Sequence, residues 1–274
     1  MSPEELPEAL AAGAHVTAWT ERFVASLPAG TRVHVKLDTG MGRLGTRDPL
    51  EATRVAELAG ERGCVVAGLI THLATADERG DPFMEEQLAR FERWAVPLRE
   101  RLPGAVLHAA NSAATLRDPG AHLDLVRCGV AIYGLDPFHE DPAARELEPA
   151  LSLRSYVAAV KAVAPGETVG YGRRFVASEE TYVATVPIGY GDGVRRGLSN
   201  NGEVSIGGER YPIVGTVSMD NISVDVGDEP VVSVGDEVVL IGDGLLAEEL
   251  ARRLGTINYE VTCALSARVP REYG

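Results

Sequence analysis

Short β-branched runs alternate with amphipathic stretches through the first half of the chain. Residues 15–19, 32–38, 65–72, 106–111 and 125–130 read as buried parallel strands. Between them, residues 49–62 place Val55, Leu58 and Ala59 on one helical face, with Gly63 as the stop. Residues 84–98 carry Met84, Leu88, Phe91, Ala95 and Leu98 at helical spacing, with Pro97 ending or kinking the helix. This alternation predicts an α/β fold of about five βα units. The Pro- and acid-rich stretch 136–149 reads as a linker. Beyond it the period changes to two, in runs 151–163, 181–188, 203–206, 211–217, 222–226 and 237–241, and Gly207-Gly208 reads as a hairpin turn. A short helix, 245–254, precedes a last strand-like segment, 260–269. The second half is therefore predicted to be a mostly antiparallel β-domain, which gives two domains, 1–137 and 138–274.

Composition narrows the function classes. With 274 residues, 45% of them hydrophobic, there is ample apolar material for one large or two modest cores. No run approaches the roughly 18 apolar residues of a membrane span. The acidic first eight residues lack the basic start of a secretory signal. Three cysteines, Cys64, Cys128 and Cys263, without a C-x-x-C pair, argue against a disulfide framework or structural zinc and for a cytoplasmic setting. A formal charge of −14 argues against nucleic-acid and acidic-membrane partners. No dinucleotide or P-loop fingerprint is present. The 26 basic residues include only two lysines, Lys36 and Lys161, which restricts any chemistry that needs a lysine nucleophile.

Polar residues collect where the predicted parallel strands end, the rim on which α/β barrels place their chemistry. The second strand runs into the Gly-rich turn Lys36-Leu-Asp-Thr-Gly-Met-Gly-Arg43; His72 ends the third, Asn111-Ser112 the fourth, and Arg127 lies in the fifth. Singly, each has an ordinary explanation: a structural ion pair, a hydrogen-bonded core histidine, a helix cap. Four in register are harder to explain that way. Ser112, with its hydroxyl and helix N-terminal amides, and Gly129, which allows close backbone approach, are the predicted phosphate contacts.

At these residues the sequence resembles the alanine racemases, fold-type III enzymes dependent on pyridoxal 5'-phosphate. The matching segments are VKLDTGMGRLG (35–45), THLATADE (71–78), AANSAATLR (109–117), DLVRCGVAIYGL (124–135), VGYGRRF (169–175), IGYGDGV (188–194), GTVSMDN (215–221) and LGTINYEVTCALSARVPR (254–271). The resemblance implies the C-terminal part of a TIM-type (β/α)8 barrel followed by a β-domain. It also implies a homodimer with a shared active site and a role in D-alanine supply for peptidoglycan. By motif, Ser112, Gly129, Val130 and Tyr259 would hold the cofactor phosphate and Asn111 would line the ring. Arg127 would face the pyridine nitrogen, with His72 as its partner. Arg43 would meet the ring hydroxyl and the substrate carboxylate, and Lys36 matches a lysine that becomes carbamylated. Tyr171 would be the catalytic tyrosine; Tyr190, Met219 and Asp220 would shape the entrance and substrate end.

These residue types suit the implied reaction. Racemisation takes the α-proton from one face and returns it to the other, so two acid/base groups must flank the carbon. A tyrosine with its usual pKa near ~10 needs an electropositive setting to act as a base. A guanidinium effectively never gives up its proton, so Arg127 would leave the pyridine nitrogen bare. The family's cofactor-anchoring lysine, at the end of the first barrel strand in a Lys-Ala-x-Ala-Tyr-Gly-like segment, has no counterpart here, and an N-terminally truncated racemase is expected. The alternatives are a non-catalytic remnant or binding protein, and a racemase of another amino acid.

Overall fold

Four parallel strands, β1 (Val16–Ala18), β2 (Arg32–Lys36), β3 (Val65–Ile70) and β4 (Val106–His108), form one sheet in chain order. They belong to the first of two units, Met1–Gly129 and Val130–Gly274, in a computed structural model that describes residues 4–229 and 231–274. The helices of this unit are α1 (Leu6–Ala11), α2 (Glu21–Ala25), α3 (Pro49–Glu61), α4 (Phe83–Arg99) and α5 (Ser112–Arg117).

Alternation in β2 decides what each face does. Val33 and Val35 are fully buried, and α3 packs on β2 and β3, while Arg32, His34 and Lys36 alternate onto the other face. Helix α3 begins where the Asp48 side chain accepts the Leu50 N–H and Pro49 occupies the first turn. It ends at Gly63, whose φ of 74° suits the left-handed position. In α4, Met84, Leu88, Phe91, Ala95 and Leu98 form the expected buried stripe. Pro97 neither ends nor precedes a break there; the helix runs two residues further, because a proline in the last turn costs only one hydrogen bond.

The expected fifth strand, 125–130, is absent, so the unit has four βα repeats rather than five. Asp124 and Arg127 donate their N–H groups to Leu107 and Ala110 at 3.1 and 3.0 Å, but no ladder follows. Leu125 and Val126 are exposed, so the apolar run does not go into a sheet core. The segment is an extended arm that delivers Arg127. Strands β3 and β4 stop at Ile70 and His108, which leaves His72 and Asn111 in the exit loops.

In the second unit, β5 (Leu153–Tyr156), β6 (Ala159–Val163), β9 (Thr181–Val186), β10 (Glu203–Ile206), β11 (Glu209–Val214), β12 (Ile222–Asp225) and β13 (Glu237–Ile241) make an antiparallel sheet of order β5-β13-β10-β11-β12-β9-β6. A separate small ribbon pairs β7 (Thr168–Val169) with β8 (Phe175–Val176). The run 151–163, expected as a single strand, is two. Strands β5 and β6 occupy opposite ends of the order yet are only two residues apart in the chain, so the sheet must curl round on itself. Val204, Val224, Val238 and Ile222 fill its interior. Gly207 and Gly208, at φ 62° and 90°, close the β10–β11 hairpin, where Ile206 pairs with Glu209.

Two further expectations fail in this unit. Residues 260–269 do not form a strand: helix α7 (Asn258–Cys263) follows α6 (Ala247–Leu254), with Asn258 and Val261 buried one helical turn apart. The β-branched Val261-Thr262 pair suggests a strand, and tertiary burial overrides that preference. Nor is 136–149 a linker. The Asp136 side chain is fully buried, accepts N–H groups from Phe138 and Glu140, and pairs with Arg145 at 2.6 Å.

Candidate active site

The rim of the parallel sheet gathers two arginines, a lysine and a histidine of the first unit. Lys36 ends β2, Arg43 lies in the Gly-rich turn after it, His72 follows β3, and the extended arm brings in Arg127. The turn is shaped by Asp38, whose carboxylate accepts the N–H groups of Gly40 and Gly42 at 3.0 Å and pairs with Arg47 at 3.3 Å. Burial works against ionisation of Asp38, but the Gly42 and Gly40 N–H groups and Arg47 outweigh it and hold the carboxyl below its ordinary range.

Arg127 is fixed on several sides. Its Nη2 donates to the carbonyls of Thr71 (2.8 Å) and Ala109 (3.0 Å) and approaches His72 Nδ1 at 3.2 Å. Its Nη1 donates to His108 Nδ1 at 2.8 Å. Both imidazoles must therefore be neutral. Burial first, and the Arg127 charge second, press His72 down to about 4 and His108 to about 3. Burial also lowers Arg127 to about 10, which leaves it a full cation at neutral pH. Lys36 is lowered by burial and then by Arg43 and Arg127, against the pull of Asp38. The rim is thus a concentration of positive charge with little acid facing it, the condition for holding an anion.

The exit loop after β3 is tied down by Gln87, a fully buried amide on α4. Its Oε1 accepts the Ala74 N–H at 2.7 Å, and its Nε2 reaches the His72 carbonyl at 3.1 Å and Thr39 Oγ1 at 3.3 Å. Asn111 caps α5, its Oδ1 accepting the Ala114 N–H at 3.0 Å. Ser112, buried as the first residue of α5, receives the Gly129 N–H on its Oγ at 2.9 Å. Gly129 is exposed, and a Cβ added there would meet nothing within 4 Å, so its backbone borders open space.

The remaining expected residues lie in the second unit. Val130 starts a helical turn, Val130–Tyr133, and Tyr259 sits on α7 with its ring edge-on to His139. Tyr171 is 75% exposed, and its carbonyl accepts the Thr216 hydroxyl at 2.7 Å. Tyr190 and Met219 are brought together by two backbone bonds of 2.9 Å, Tyr190 N–H to Ser218 and Gly191 N–H to Met219. Asp220 accepts from Arg268 at 2.5 Å, and the same guanidinium meets Asp192 at 3.2 Å. Tyr171, Tyr190, Met219 and Asp220 thus present an exposed polar and aromatic rim of their own.

Sequence reasoning missed His34, His108 and Gln87. A signal for His34 was present: it shares the alternate face of β2 with Lys36.

The donor set suits a phosphorylated pyridine in three respects: a hydroxyl and N–H pair beside open space, a permanently charged guanidinium, and the neighbouring charges of Lys36 and Arg43. It does not provide a lysine in the family's anchoring segment, since Lys36 lies in the VKLDTG motif and Lys161 on β6.

Comparison with known proteins agrees with this geometry. Residues 1–137 match the family "Alanine racemase, N-terminal domain" and residues 150–273 match "Alanine racemase, C-terminal domain". The alanine racemase of Symbiobacterium thermophilum is 45% identical over 249 residues, covering 89% of this chain and 66% of that protein. Among solved structures, the alanine racemase of E. faecalis superposes with a TM-score of 0.91 at 36% identity, over 100% of this chain and 76% of that one. The alanine racemase of Bartonella henselae, described with covalently bound pyridoxal phosphate, gives 0.86 at 28% identity, over 100% and 77%. The chain spans about two thirds of the length of the curated relatives it matches. Its barrel repeats, its curled β-domain and both family matches lead to one assignment: the chain belongs to the alanine racemase family.

Proposed function

We propose that the protein acts as an alanine racemase, with pyridoxal 5'-phosphate as cofactor and L- and D-alanine as substrate and product. The observation that carries this is Arg127, held by Thr71, Ala109, His72 and His108 with the Lys36 and Arg43 charges close by. Ser112 and the Gly129 backbone would hold the phosphate, and Asn111 would line the ring. Arg127 would donate to the ring nitrogen without protonating it. Arg43, with Lys36 or its carbamate beside it, would meet the ring hydroxyl and the substrate carboxylate. When bound, the cofactor supplies an electron-withdrawing ring that acidifies the α-hydrogen of an amino acid.

Tyr171 holds and moves that proton at its phenolic oxygen. Tyr190, Met219 and Asp220 limit the substrate side chain. The exposure of Tyr171, Tyr190 and Met219 supports a homodimer in which this rim is covered by a second copy. No helix among the described residues is long and apolar enough to cross a membrane. From the family, the proposed role is the supply of D-alanine for cell-wall precursors in the cytoplasm.

Racemisation needs a base on each face of the carbon, and these residues supply Tyr171 for one. The 274-residue chain, loaded with pyridoxal phosphate in deuterated water, should exchange the α-hydrogen of one enantiomer of alanine faster than it inverts configuration. Tyr171→Phe should reduce that exchange by about two orders of magnitude or more. Borohydride should leave no cofactor on the protein. Equal exchange by the Tyr171→Phe variant would remove alanine proton transfer from the assignment.

A further inference from the structure

Three of the six histidines lie in one unbroken line across the face of the parallel sheet. His108 Nε2 meets His34 Nδ1 at 2.7 Å, and His34 Nε2 meets His15 Nδ1 at 2.9 Å. At its inner end the line is joined to Arg127 through His108 Nδ1. We propose that His108 and His34 are positioning residues for Arg127, holding its guanidinium through a row of neutral imidazoles whose proton order Arg127 itself dictates. The proposal rests on the assignment of Arg127 to the cofactor ring nitrogen.

The direction of the row follows from hydrogen-bond inventory. A guanidinium has donors and no acceptor, so His108 Nδ1 must offer a lone pair. A neutral His108 then carries its proton on Nε2 and donates to His34 Nδ1. His34 in turn carries its proton on Nε2 and donates to His15. At the outer end Arg32 Nη1 stands 3.4 Å from His15 Nε2 and pulls the order the other way, but it is a longer contact than the 2.8 Å bond from Arg127 to His108, so the inner end sets the direction. Each tautomer is fixed by the one before it. A second proton on His108 would set an N–H against the guanidinium, and burial, Arg127 and His34 all oppose that charge. For His34, burial acts first, with His15 and Arg127 adding to it. Taking one hydrogen of Nη1 in this way orients the guanidinium plane, and with it the N–H groups that remain.

The sheet leaves room for the row. His34 and His108 stand on β2 and β4, with β3 between them. They touch because the β3 residue paired with His34 is Gly68. A Cβ added to Gly68 would fall 2.3 Å from His34 Nδ1, the atom that accepts from His108. Any side chain at Gly68 would therefore break the row without altering a member of it.

The test uses the full chain and two readouts. Nitrogen-15 NMR of the imidazoles should show His108 and His34 as Nε2–H tautomers. The Arg127 Nη signals should be separate in the parent and collapse in His108→Leu and in Gly68→Ala. Titration with pyridoxal phosphate, followed by absorbance, should show on the order of tenfold weaker binding for His108→Leu, the loss expected for one hydrogen bond to a charged group. His108→Asn keeps an acceptor near the Nδ1 position and should restore binding to within about threefold of the parent. A role in stability alone would lower the melting temperature of every variant and leave this ordering absent, which would overturn the proposal. A proton on His108 Nδ1 would overturn it too, as would Arg127 signals unchanged by both substitutions. If the parent bound no cofactor, the assignment of function would fail, and the NMR readout would still decide whether the row orients Arg127.

Discussion

Arg127 is the residue on which the site turns, and its neighbours carry a consequence for stability. His72 and His108 are held neutral in the folded protein, at about 4 and about 3, whereas in an unfolded chain each titrates near its ordinary 6.5. Between those values the unfolded state binds more protons, so stability is fully present above about pH 6.5 and falls as pH drops towards 4. Urea denaturation from pH 7 to 4.5 should record a loss of a few kcal/mol, with a shallower slope in His108→Asn than in the parent. A parent and variant with equal slopes would contradict the neutral assignment. The rim residues Lys36, Arg43, His72, Ser112 and Arg127 are legible in the sequence because each sits in a motif beside a strand end. His34 is not. Its partner His108 is 74 residues away, and the contact depends on a side chain missing from a third strand.

At the scale of elements, strand β2 and the helices α3 and α4 could be read directly, since each buries one regular face, and β3 from its apolar run, whose last three residues are buried. The 125–130 arm could not: its apolar residues look like a strand, but Leu125 and Val126 face solvent and Arg127 commits its guanidinium to the loops after β3 and β4. Helix α7 was hidden for the opposite reason, local strand preference overridden by the burial of Asn258. That asparagine and Glu248 of α6 lock the two helices to the Asp136 loop. Glu248 Oε1 accepts from Asn258 Nδ2 at 2.9 Å and from the Asp136 N–H at 3.0 Å, and Asn258 Nδ2 also reaches the Asp136 carbonyl at 2.8 Å. Glu248 Oε2 and Asn258 Oδ1, both buried, have no partner among the described residues. In Glu248→Gln an amide donor replaces the orphaned oxygen, which should leave stability unchanged or raise it by about 1–2 kcal/mol, whereas Glu248→Leu should lower it by about 2–4 kcal/mol. Thermal melts of the pair separate these outcomes, and a Gln variant as damaged as the Leu variant would contradict the orphaned-acceptor account.

For the whole molecule, the family and the two-part architecture follow from the order of the motifs, and the relatives place them on chains about one third longer. The curling of the β-domain was beyond the sequence pattern, because period two shows which residues face inward and not which strands are neighbours. The lysine inventory belongs to this scale as well: these residues include only Lys36 and Lys161, and neither lies in a segment like the family's anchoring one. Central to the proposed function is an Arg127 that would meet the pyridine nitrogen and withhold its proton from it. The most direct measurement is the nitrogen-15 shift of ring-labelled pyridoxal phosphate bound to the full chain at neutral pH. An unprotonated pyridine signal that weakens with the bound complex in Arg127→Leu is the predicted result. A pyridinium signal, or a bound signal indifferent to Arg127, would contradict the account.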